Sequence, residues 1–416
     1  MRQTIPIPIG TLDIGPVVEA YIAANPVVQQ VEIPAHPSGP GNRWPLLSPV
    51  NVYRMVDIAG EGAAEEPWEG GTWIEQLIDG NVPTTSFFIF HAGARGSKLH
   101  KMSLYQGSGS YHVWEGKTQA EISALLSKMS SASALVHFYQ VPGKCSIDDV
   151  HFALCGRGVS FQGSGRGHIG RISGCFMQNA AYFDHCTDVV YVGSIHAWSW
   201  FTDKDINPFL PEAFTVWQTE HLETLVINRC DGADIGTVFC INALSGITLA
   251  NSGNGGPTNI VVKNLYADFA RFGLFLNNCH NADIDFQKLT HWGENFTIRG
   301  GVQLPYSDSV GIYNSTGNQV HIGNLRVQGT GQCAVRIGGY NGGTSNHNIV
   351  QIEYLWCPYF GGNPTNGVAL LDVQDAYGVG NNIYVTGFCF YNPANGPQRT
   401  LGSVSNAYSK GDRSAL

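Results

Sequence analysis

Four carboxylates in the middle of this 416-residue chain, Asp231, Asp234, Asp268 and Glu294, stand behind short apolar phrases that repeat along the sequence. Hydrolysis of a glycosidic bond requires two carboxyl groups. They sit about 5–5.5 Å apart when one is a nucleophile, and about 6.5–9.5 Å apart when one activates water. On neighbouring repeats Asp231 or Asp234 with Asp268 suits the shorter spacing. On alternate repeats Asp231 or Asp234 with Glu294 suits the longer. The same residues have a plainer use, because Asp-Gly and Asx turns cap their own backbone wherever strands end.

Trp198, Trp200 and Trp292 offer flat apolar faces of the kind a sugar ring stacks on, and Trp198 and Trp200 share strand parity. Core filling is the competing use of large aromatics. Elimination chemistry instead needs a base beside a uronate carboxyl and a cation to neutralise that carboxyl. Lys263, Arg271, His291 and Arg326 are the candidates for those roles, and Tyr266 for acid or base. Lys263 and Arg326 also suit a strand edge that charge keeps from pairing with other chains. Asp283-Ile-Asp285 resembles a calcium-binding pair, yet two Asp two residues apart on a strand are ordinarily an outward pair, so no metal and no cofactor is expected.

These residues are positioned by a repeat. The phrase apolar-x-(small or polar)-apolar-x occurs at Val262–Tyr266 and again at Phe286–Thr290. Further copies start at Ile147, Ile172, Val192, Val226, Ile322, Ile352 and Val385, with a fainter one at Leu99. A second apolar strand follows most copies, as in Gly273–Leu276, and turn clusters such as Asn277–Asn281 separate them. Fixed phrases at irregular spacing describe a solenoid whose coils keep strands in register and let one loop vary. The fold class expected is all-β, a parallel β-helix with coils about 4.8 Å apart, and the site residues should project outward from neighbouring coils.

Composition narrows the partners. Only 13% of residues are charged, 51 are Gly, the net charge is −9 and no basic run stands out, which argues against nucleic acid and anionic membrane. No apolar stretch approaches the roughly 18–20 residues that cross a bilayer, so no membrane insertion is expected. MRQTIPIPIG lacks the apolar core of a signal peptide, and the ten Cys show no CxxC pair, so buried, reduced thiols are expected.

At the N-terminus Asp13 can cap a helix with apolar positions Ile14, Val17, Val18, Tyr21 and Ile22, closing the open solenoid end. Thr118-x-x-Glu121 opens a second helix near 117–130. The opening Asp13–Ala24, then Val31-Glu-Ile-Pro-Ala35, then Val56–Gly62 resembles that of the pectate-lyase-like right-handed β-helix superfamily, which includes many phage tailspikes. The resemblance spans roughly 13–395. It implies a right-handed β-helix that binds or cleaves a bacterial surface polysaccharide, often as a homotrimer. Hydrolase, lyase and purely binding forms all occur within such a reading. It further implies a phage-tail (virion) location after assembly in the host cytoplasm. Residues 1–12 would contact other virion tail proteins, 13–396 would form the β-helix, and 397–416 a loosely held tail.

Overall fold

The computed structural model describes residues 2–39, 42–64, 70–77, 85–107, 118–198, 212–293, 297–298, 302–303, 308–330, 333–339, 343–358, 370–391 and 407–409. Parallel pairing between successive coils dominates it, and the fold is a right-handed parallel β-helix. The chain forms two compact units, Met1–Leu222 and Glu223–Leu416. Among the described residues no helix is long and apolar enough to cross a membrane. All ten cysteines are buried and none is in a disulfide, and burial pushes the Cys145 thiol up to about 11.

In the first unit Leu99 pairs with Ile147, Ile147 with Ile169 and Ile169 with Val192, each one coil on. A file of stacked rings, Phe90, Phe138, Phe161 and Phe183, fills the interior with centroids 4.6, 4.5 and 5.1 Å apart. Helix α1 (Gly15–Ala24) buries Val18 and Ile22 against the strand Val50–Val52. The Asp13 carboxylate accepts from the N–H groups of Gly15 and Leu47, and the Arg54 guanidinium donates to the carbonyls of Ile22, Asn25 and Val28, neutralising the helix C-terminus. Helix α2 (Gln119–Ser131) starts at a capping box between Thr118 and Glu121. With α3 (Glu212–His221) it covers Trp73, Tyr105 and Met177 on the outer wall.

Part of residues 1–12, the segment expected to contact other virion tail proteins, is built into the solenoid. Arg2–Thr4 is a strand in parallel register with Gln30–Ile33, and Ile5 is buried. At the other end Ala407–Ser409, in the stretch expected to be a loose tail, pairs with the strand Asn382–Tyr391. An open sheet edge offers unpaired N–H and C=O groups, and any strand-capable stretch can satisfy them.

In the second unit the inward file Val262, Phe286, Ile322, Ile352 and Val385 is the repeated phrase in register, coil after coil. Two phrases lie elsewhere. Ile172 pairs with Val150, so that coil's phrase starts at Ile169. Ile235 pairs with Val262, so the coil assigned to Val226 carries its phrase at Ile235–Phe239, nine residues later. Both positions satisfy the same loose pattern, and only the backbone ladder separates them.

A buried asparagine ladder locks the turns of this unit. Asn348 Oδ1 accepts from the backbone N–H and the side-chain amide of Asn318, while Asn348 Nδ2 donates to Ser315 O and Asn381 Oδ1. Asn348→Ala is expected to lower the unfolding free energy by about 3 kcal/mol, because donors and acceptors on two flanking coils lose their partners without gaining water. Urea denaturation followed by circular dichroism measures this.

Candidate functional site

The strand Pro257–Asp268 shows how the second unit presents its side chains. Ile260, Val262, Leu265 and Ala267 face inward and are buried. Two consecutive outward residues, Lys263 and Asn264, mark a corner between two walls of the coil. Before the corner the outward positions belong to a first wall. After it, Tyr266 and Asp268 belong to a second.

Register carries the second wall across successive coils. Phe239, Tyr266, Thr290, Arg326, Trp356 and Phe390 form one outward file. Ile241, Asp268 and Trp292 form the next. Lys288 Nζ lies 5.2 Å from the Tyr266 ring centroid and Arg326 Cζ 4.9 Å from that of Trp356. Trp356 stacks on Phe390 at 6.2 Å, and Phe269 packs on Trp292 at 4.6 Å. Phe269 holds φ at 51°, a conformation bulky side chains avoid, and this turns the chain out of the wall beside Trp292. Asp268 is half-buried, and burial raises its pKa above the usual carboxylate value.

The structure therefore brings Tyr266, Asp268, Trp292 and Arg326 together. Asp231 and Asp234 are not with them. They lie on the first wall, where Asp231 pairs with Arg229, and Lys263 Nζ stands 4.0 Å from Asp234 Oδ1. The nine-residue displacement of the phrase is the reason: both acids precede the corner, and the position matching Asp268 on that coil is Ile241. Among the described residues Asp268 is the one carboxylate on the second wall. Glu294 and Trp200 lie outside the described residues. Trp198 belongs to the first unit, half-buried, with its ring 5.5 Å from that of His196.

His291 corrects its expected role. It is fully buried in the inward file with Ala267, its Nε2–H donates to Ala270 O at 2.9 Å, and Nδ1 lies 2.8 Å from Ser309 Oγ. Burial lowers its pKa to about 4, so it serves as a neutral hydrogen-bonding core residue. The residues missed were Lys288, Phe269, Trp356 and Phe390. Trp356 had a signal, since it is the fifth residue of its phrase, as Tyr266 and Arg326 are of theirs.

The two buried histidines give a pH prediction. His291 and, in the first unit, His151 stay neutral in the fold, His151 lowered by burial to about 3. The unfolded chain takes up protons below about pH 6.5 while the folded one does not. Their contribution is therefore complete above pH 6.5 and is lost as pH falls toward 4, by about 3 kcal/mol for His291. His321 has the opposite sign. Its Nδ1 lies 3.0 Å from Asp285 and its Nε2 3.2 Å from Glu353, which raise its pKa, so its contribution is complete below pH 6.5 and lost as pH rises through the raised value. That side chain is 39% exposed, so its effect is small. Denaturation midpoints between pH 4 and 8 are expected to fall on the acid side.

A third wall carries a buried charged cluster. Arg336 Nε donates to Asp372 Oδ2 at 3.0 Å, Arg336 Nη1 lies 3.7 Å from Asp308 Oδ2, and the Tyr313 hydroxyl donates to that same oxygen at 2.6 Å. Asp308 Oδ1 accepts from the Cys333 N–H. A Cβ at Gly311 would meet the Tyr313 and Phe272 rings at 2.7 and 3.0 Å, so only glycine lets them lie there. All these side chains are buried, and the cluster is read as structural.

No family model and no curated protein sequence matches the chain. Solved structures do resemble it. The A-module of the mannuronan C-5 epimerase AlgE6 of Azotobacter vinelandii aligns at 12% identity and TM-score 0.54, over 97% of this chain and 96% of that one. DFA-IIIase of Arthrobacter chlorophenolicus A6 without its lid, in complex with GF2, aligns at 12% and 0.54, over 93% and 94%. The catalytic domain of a GH87 alpha-1,3-glucanase in complex with nigerose aligns at 11% and 0.50, over 96% and 67%. At these identities the likeness shows the fold.

Proposed function

We propose that this chain binds a bacterial surface polysaccharide along the second wall of its second unit and cleaves it there, as a protein of the phage-tailspike kind. The observation that carries the reading is the convergence of Tyr266, Asp268, Trp292, Arg326 and Trp356 on one wall over four consecutive coils, with a carboxyl group whose burial favours its protonated form. Polysaccharide-acting neighbours of the same fold support it, and the N-terminal resemblance supports the tail location and a trimer.

Asp268 would act as general acid, giving its proton to the glycosidic oxygen as the bond from that oxygen to the anomeric carbon breaks; water adds at that carbon and releases a proton through solvent, which restores the carboxyl group. Trp292 and Trp356 would border the saccharide. Hydrolysis needs a second carboxylate; among the described residues Asp268 is the one on this wall, and Glu294, two residues after Trp292 in sequence, lies outside them. A binding protein without catalysis is the alternative. A reducing-end assay over bacterial capsular polysaccharides, with absorbance of unsaturated uronates read in parallel, separates these. New reducing ends without absorbance support hydrolysis, absorbance supports elimination, and saturable binding without product supports the receptor-binding form.

A further inference from the structure

We propose that the polysaccharide this wall takes is anionic, carrying carboxylates on its sugar rings. The proposal rests on the saccharide-binding reading above and adds the charge class of the ligand. Cations in the second unit's ion pairs are compensated by carboxylates. Arg229 is paired with Asp231, Lys263 with Asp234, and Arg336 with Asp308 and Asp372. Lys288 and Arg326 are different. Among the described residues neither has a carboxylate within ion-pair distance, and both lie against aromatic rings of the second wall, Lys288 on Tyr266 and Arg326 on Trp356.

A ring face holds a cation through its quadrupole and takes none of its N–H donors. The two stacks thus restrict where the charged heads can lie while leaving ammonium and guanidinium donors available to an acceptor. Arg326 is exposed and Lys288 half-buried, on adjacent coils about 4.8 Å apart along the solenoid. A guanidinium presents two parallel N–H groups that match one carboxylate, and a ligand repeating a carboxylate along its length could meet both cations. Local charge agrees. Arg326 stands on the wall and Lys288 at the corner beside it, against one wall acid, Asp268, whose pKa is raised, so these cations outnumber the wall's carboxylates among the described residues on a chain of net charge −9. That contrast is the field an anionic polymer would follow to this wall, and it weakens with salt.

The test is binding of the full chain to a panel of acidic bacterial capsular polysaccharides, each beside its carboxyl-reduced neutral form, with dextran sulfate as a polyanion lacking carboxylates. At least one acidic polymer is expected to bind ten-fold or more tightly than its reduced form at low salt. Arg326→Gln and Lys288→Gln should each weaken that binding several-fold and flatten its salt dependence. Equal binding of an acidic polymer and its reduced form, still lost in Trp292→Ala, overturns the charge class and leaves the saccharide site standing. Dextran sulfate binding as tightly as the best acidic polymer overturns the carboxylate assignment. Absence of binding to every polymer overturns both readings.

Discussion

Asp268→Asn is expected to lower polysaccharide cleavage by about 10²–10⁴-fold, the usual contribution of a positioned general acid, while binding stays within a few-fold of the parent. The amide keeps the shape of the carboxyl group and cannot give up its proton. Asp268 is suited to the role by its surroundings. It is half-buried between Ile241 and Trp292, and burial raises its pKa, so a larger protonated fraction persists toward neutral pH than for an exposed aspartate. The parent's rate should accordingly fall as pH rises through that raised value. Initial rates against pH, with binding measured separately, check the claim. An Asp268→Asn variant that cleaves like the parent removes Asp268 from the chemistry.

Arg336→Met is expected to cost about 3–5 kcal/mol of stability, because it leaves buried carboxylates without their compensating charge. Asp308 is fully buried and Asp372 nearly so, and the guanidinium lies between them. Burial alone already raises the Asp372 pKa, and loss of the guanidinium removes the charge that opposes that rise. A carboxyl group whose folded pKa lies above its unfolded one destabilises the fold as pH rises through the interval. The variant should therefore regain stability as pH falls from 8 toward 5, and Arg336→Met/Asp372→Asn should recover part of the loss. Urea midpoints at both pH values measure this. A variant as stable as the parent at pH 8 would show that the cluster contributes little net stability.

Much of the coil was legible in the sequence because its interior repeats. The phrases beginning at Leu99, Ile147 and Val192 and those from Val262 to Val385 lie in register with their neighbours or with a shared coil, since an inward apolar pair around a corner can be filled in few ways. The helix at Thr118 was legible from its capping box. The site was legible only in part. Tyr266, Asp268, Trp292 and Arg326 share a wall because their coils were read in correct register. Asp231 and Asp234 stand elsewhere because a loose pattern fitted Val226 as well as Ile235, and a slip of an odd number of residues also exchanges inward for outward. His291 follows Leu289 inward, and a rule that places chemistry after each phrase cannot see that parity. The cluster of Asp308, Tyr313, Arg336 and Asp372 left no local trace, since its members are spread over 65 residues and meet only when coils stack.

The central claim is that the saccharide is held on the second wall of the second unit. The measurement that tests it most directly is a crystal structure of Asp268→Asn with an oligosaccharide of the bound polymer. The predicted result is a chain crossing the coils of Asp268, Trp292, Arg326 and Trp356, with a glycosidic oxygen within hydrogen-bond reach of residue 268. A saccharide seated on the first unit, or on the wall of Asp231 and Asp234, would contradict it.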